Sequence, residues 1–114
     1  MLIQIVDRNE TLDESMREFA KKRLLFALSR FGRRVQRVRA VLSDVNGPKG
    51  GVDKSCRVTV KLLRLPDVCV SNEDLDARAC FSRAADRVGR AVARTIEREQ
   101  HFERRRPFSS ADSL

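Results

Sequence analysis

The chain has 114 residues, with 24 basic against 16 acidic side chains, a formal net charge of +8 and a 41% hydrophobic share. That length suits one domain with a single modest core, and the charge favours an anionic partner: nucleic acid first, an acidic protein or a membrane surface second. No apolar run approaches the roughly 20 residues of a membrane-spanning helix, and the start MLIQIVDRN lacks the basic region and apolar length of a secretory signal, so the expected compartment is the cytoplasm.

In chain order, Leu2 to Val6 is apolar apart from Gln4 and rich in β-branched residues, which predicts a first strand. Thr11-Leu12-Asp13-Glu14 is a capping-box pattern that opens a helix. The helix is expected to run to about Phe31, with Gly32 as its stop. Its apolar positions are Leu12, Met16, Phe19, Ala20, Leu24, Ala27 and Phe31, and Phe26 and Leu28 widen the stripe. Lys21 and Lys22 lie off the stripe's centre, whereas Arg23 and Arg30 fall within its arc. Long Arg stems can cover apolar surface there while their heads reach a groove or solvent.

Gln36 to Asp44 and Lys54 to Leu63 both alternate at period two, as strands with one covered face do. The intervening Asn46-Gly47-Pro48-Lys49-Gly50-Gly51-Val52-Asp53 predicts a hairpin loop. It contains neither GxxxxGK[ST] nor GxGxxG, which rejects a nucleotide P-loop. Leu65-Pro66-Asp67 predicts a turn and Val68-Cys69-Val70 a short strand, with Asn72 or Asp74 as cap for a second helix from Asp74 to Gln100. Residues 104–114 read as a basic, then Ser-rich, disordered tail after a domain covering 1–103. The order is therefore β-α-β-β-β-α, and the simplest architecture is an α+β two-layer sandwich: a four-stranded sheet with both helices on one face.

Within the second helix Arg83, Arg87, Arg90, Arg94 and Arg98 follow one another at steps of four, three, four and four. At about 100° per residue they share a stripe roughly 80° wide. Beside it Ala77, Phe81, Ala84, Ala85, Val88, Ala91, Val92 and Ile96 form a core-facing stripe. A partner with repeated negative charge suits the arginine row; the competing reading is a solvated face laced with weak ion pairs. Arg37, Arg39, Arg57 and Lys61 on the open sheet face form a second, less charged, candidate surface.

Little here points to catalysis. The single histidine, His101, lies near the tail, and no carboxylate pair stands at an obvious spacing on an apolar wall. Cys56, Cys69 and Cys80 match no CxxC pattern and read as free thiols in a reducing compartment. No enzyme activity, cofactor, metal or small-molecule substrate is expected.

Several stretches resemble the ribosome hibernation-promoting factor and ribosome-associated inhibitor (protein Y) family. They are Met16-Arg17-Glu18-Phe19, then Asp44-Val45-Asn46-Gly47-Pro48 with Gly50-Gly51-Val52-Asp53-Lys54 and Cys56, and then Ala84-Ala85-Asp86-Arg87 with Val92-Ala93-Arg94. The match covers about residues 1–100, and its specificity lies in order and spacing. The resemblance implies the same β-α-β-β-β-α fold and binding to the small ribosomal subunit and its rRNA where mRNA and tRNA lie, which silences idle ribosomes. It implies RNA-facing roles for Lys22, Arg23, Arg83, Arg87, Arg90 and Arg94. Longer relatives carry a second domain that pairs ribosomes, so this chain resembles the short class.

The expected RNA-binding set is thus Lys21, Lys22, Arg23, Arg30, Arg83, Arg87, Arg90, Arg94 and Arg98, in a monomeric protein that inhibits translation and does not meet a membrane. A general double-stranded-RNA module and a protein-interaction regulator of transcription are the alternatives. The chain has no Trp or Tyr, and most of its six Phe read as core, which argues against a base-stacking single-strand binder.

Overall fold

Period-two apolar residues in four segments and period-3.6 residues in two build the architecture expected. The computed structural model describes residues 1–8, 12–44 and 54–105. The elements are β1 (Leu2–Asp7), α1 (Glu14–Leu28), a 3-10 stretch (Ser29–Arg34), β2 (Val35–Asp44), β3 (Lys54–Leu62), β4 (Val68–Asp74) and α2 (Ala77–Arg105). The sheet is mixed, in the order β1-β2-β3-β4. β1 pairs parallel with β2, so α1 forms the crossover between them, and the other two pairings are antiparallel.

Register puts Ile3, Val38, Val60 and Val68 in one row across the sheet, and Ile5, Ala40, Val58 and Val70 in the next. These rows face the helices. From α1, Ala20, Leu24 and Leu28 are buried at steps of four; from α2, Cys80, Phe81, Ala84, Ala85, Val88, Val92 and Ile96 join the same core. α1 lies over β1, and α2 over β3 and β4. The opposite sheet face carries Arg37 beside Lys61, Arg39 beside Thr59, and Val41 beside Arg57.

Several boundaries differ from the sequence reading. The α-helical part of α1 ends at Leu28, and the chain continues as a 3-10 stretch in which Gly32 takes φ 57°, a conformation glycine adopts without Cβ strain. The N-cap of α1 is Asp13, whose carboxylate accepts from the Met16 N–H at 2.8 Å; Thr11 lies outside the described residues. Asp7 reinforces this start by accepting from the Leu12 N–H at 2.7 Å.

β4 runs on to Asp74 because β3 is long enough to pair with it as far as Lys54. Asn72 is consequently a strand residue, and its amide donates to the Cys80 carbonyl at 3.3 Å. Asp76 caps α2 instead, accepting from the Ala79 N–H at 3.1 Å. At its far end α2 continues to Arg105. The expected 46–53 loop and residues 106–114 of the expected tail lie outside the described residues.

The two helices are in tight contact where Gly89 meets Ala27. A Cβ at Gly89 would lie 3.3 Å from the Ala27 carbonyl oxygen and 3.5 Å from its Cβ. A branched side chain there must push the helices apart. Overpacking of this kind costs about 1–3 kcal/mol, against about 1 kcal/mol gained when Gly leaves a helix interior. Gly89→Leu should therefore lower stability by up to about 2 kcal/mol in urea denaturation. A midpoint above wild type would show that the contact is not tight.

Candidate nucleic-acid interface

The capped start of α2 and its buried apolar stripe set the helix's rotation on the sheet. That rotation turns Arg83, Arg87, Arg90, Arg94 and Arg98 outward, and all five are exposed. The row follows a crest between two clefts. On the β4 side a cleft of about 220 Å³ has Val70 and Ala91 as its floor and Arg87, Arg90 and Arg94 as its walls. Arg87 donates from Nη1 to the Ser71 carbonyl of β4, which ties it to the sheet edge. On the α1 side a groove of about 360 Å³ is lined by Phe26, Ala27, Arg30, Asp86, Gly89 and Arg90. Arg90 borders both.

The α1 residues divide. Arg23 is half-buried and reaches across to α2, donating from Nη2 to Asp86 Oδ1 at 2.8 Å and to the Ser82 carbonyl at 3.3 Å. It fastens the two helices together through one of its three guanidinium nitrogens. Arg30 is exposed, and its guanidinium carbon lies 4.7 Å from the centre of the Phe31 ring. Lys22 is exposed one helical turn before Phe26. Lys21 is exposed too, but it lines a different cleft, against β1, together with Glu14, Arg17 and Glu18. The fold thus brings Arg30 and Arg90 to the groove and Arg87 and Arg94 to the neighbouring cleft, with Arg83 and Arg98 exposed at either end of the row, while Lys21 stands apart beside two carboxylates.

The structure corrects one core assignment. Phe26, placed at sequence level in the apolar stripe of α1, is 78% exposed. The physical reason is rotation: two residues from Leu24 is about 200° around a helix, so the two side chains point to opposite sides. With Leu24 and Leu28 buried, Phe26 must face away from the sheet.

The open sheet face has a chemistry of its own. Cys69 on β4 is exposed, and its sulfur accepts from Arg57 Nε at 3.3 Å and from the Thr59 hydroxyl at 3.6 Å. The Arg57 hydrogen bond holds this thiol below its ordinary range. Cys56 is buried, and a hydrogen bond to Cys80 together with desolvation pushes its thiol upward. Among the described residues no cluster of His, Cys, Asp and Glu has the makings of a metal site, and no helix is long and apolar enough to cross a membrane.

Residues 3–100 match the family described as Sigma 54 modulation protein / S30EA ribosomal protein. The chain belongs to that family. Among solved structures the fold is similar to the N-terminal domain of Protein Y from Thermus thermophilus, with a TM-score of 0.66, 25% identity, and coverage of 82% of this chain and 98% of that one. It is also similar to a ribosomal subunit interface protein from Coxiella burnetii, with a TM-score of 0.69, 17% identity, and coverage of 82% and 96% respectively. The latter likeness bears on fold alone. No curated protein matches the chain significantly. Family membership thus agrees with the resemblance drawn from the first helix, the loop and the last helix.

Proposed function

We propose that this family member binds the small ribosomal subunit and inhibits translation by laying the arginine crest of α2 and the rim of the α1–α2 groove against rRNA in the mRNA–tRNA channel. The observation that carries this reading is the row of five exposed arginines on a helix whose other face is locked into the core. The backbone that carries the row is already ordered, so binding costs side-chain freedom and no further backbone ordering. Arg also forks onto phosphate oxygens and stacks on bases, so it suits folded RNA, which is recognised largely by shape, phosphate and 2′-OH contacts. Membership of a family described by a ribosomal protein supports the same partner. The role needs a rigid basic surface and no catalytic group.

Sedimentation of the purified protein with ribosomes, isolated subunits and naked RNA tests the proposal. The protein should travel with the small subunit, and added protein should depress translation in vitro. Protein that stays at the top of the gradient at low salt would refute subunit binding. Equal affinity for naked duplex RNA would favour the general double-stranded-RNA module.

A further inference from the structure

Three aromatic rings lie on α1 and the 3-10 stretch that follows it, in a region rich in guanidiniums. Arg78 lies over Phe19 at 4.3 Å, and Arg30 lies over Phe31 at 4.7 Å. Phe26, between them in sequence, is 78% exposed, and among the described residues no cation covers its ring. The ring sets an apolar face on a strongly basic surface, and an occupant that is flat, apolar on its faces and attached to negative charge matches both.

We propose that the groove is a docking site for an unpaired RNA nucleotide, whose base stacks on Phe26 while its flanking phosphates meet Arg30 and Arg90. This inference rests on the ribosomal reading above and adds to it a base-stacking contact. The groove has about 360 Å³ of space, within the range of about 300–1,000 Å³ that small-molecule sites occupy. Its floor is small and close-packed at Ala27 and Gly89, which leaves depth beside the ring. Asp86 lines the same groove and is already engaged by Arg23. A carboxylate on the wall disfavours a phosphate within the groove, so the phosphates belong at the rim arginines and the neutral base inside. An unstacked base on an aromatic side chain, with arginines on the backbone, is the common chemistry of single-stranded RNA recognition.

The test uses the full chain and three variants at one exposed position. Stacking on an aromatic side chain accounts for about 5- to 150-fold in affinity per base. Phe26→Ala should weaken binding to small subunits by about that factor. Its log affinity should fall with log salt at the wild-type slope, because stacking releases no counterions. Phe26→Leu keeps an apolar side chain without an aromatic face and should be nearly as weak. Phe26→Trp should bind at least as tightly as wild type. Because the chain has no other Trp, the indole introduced there reports directly, and its fluorescence should be quenched by bound subunits.

Wild-type affinity for Phe26→Leu would mean that an apolar side chain of a protein partner fills the groove, and the proposal falls. Unchanged indole emission at saturation overturns it as well. If the wild-type protein fails to bind subunits at all, the ribosomal reading is lost separately. An RNA hairpin with an unpaired purine loop then decides the groove by itself. Quenching by the loop, and not by a duplex of the same stem sequence, supports nucleotide docking; no quenching, or equal quenching by both, refutes it.

Discussion

Replacing Arg87, Arg90 and Arg94 together with Gln is expected to weaken binding to the small subunit at every salt concentration, and to flatten the slope of log affinity against log salt by about two to three units. Each lysine or arginine that neutralises a phosphate releases condensed counterion, which contributes roughly 0.7 to 0.9 to that slope, with DNA as the calibrated case. These three residues wall the cleft beside β4, and Arg90 also borders the α1–α2 groove, so the triple variant removes the middle of the crest. The fold should persist. All three are exposed, Gln has helix propensity close to that of Arg, and the bond lost among the described residues, from Arg87 to the Ser71 carbonyl, leaves an acceptor at an exposed site where water can replace it. The control changes Arg37, Arg39 and Arg57 to Gln on the open sheet face. A larger loss from the control would assign binding to the sheet. If neither variant binds differently while circular dichroism shows both folded, the row is only a solvated helix surface.

Phe81→Ala should cost about 3–5 kcal/mol of stability, the usual range for emptying an aromatic site in a core. Phe81 is 1% exposed and is the largest fully buried side chain among the described residues. It stands in the first turns of α2, just past the Asp76 cap, where the helix seats on the sheet. Domains are stable by only about 5–15 kcal/mol, so this single change removes a large part of the total. Subunit binding should fail at temperatures where the variant unfolds and recover on cooling, because every arginine of the crest depends on the seating of α2. Leu25→Ala is the control. Leu25 is 49% exposed and should cost far less. A loss for Phe81→Ala no greater than that of Leu25→Ala would mean that the start of α2 is not packed as described.

Local pattern determined the element order, the helix-covered sheet face and the arginine row. Alternation at Val38, Ala40 and Leu42, and at Cys56, Val58, Val60 and Leu62, marks a buried face irrespective of the partner strand, because side chains on a strand alternate by geometry. The spacing of Arg83, Arg87, Arg90, Arg94 and Arg98 places them on one stripe in any α-helix. Only the tertiary structure decided what those stripes meet. β4 extends to Asp74 because β3 offers it backbone partners that far, and pairing of that kind joins residues distant in sequence. That extension moved the cap of α2 to Asp76 and made Asn72 a strand residue. Lys21 faces β1 beside Glu14 and Glu18, and Arg23 spends its charge on Asp86; both outcomes depend on how α1 is rotated over the sheet. The same rotation carried Phe26 out of the apolar stripe and into the groove. A broad run of apolar residues on α1 does not reveal its own centre; burial of Leu24 and Leu28 against the sheet does, and it leaves Phe26 on the opposite side, in water.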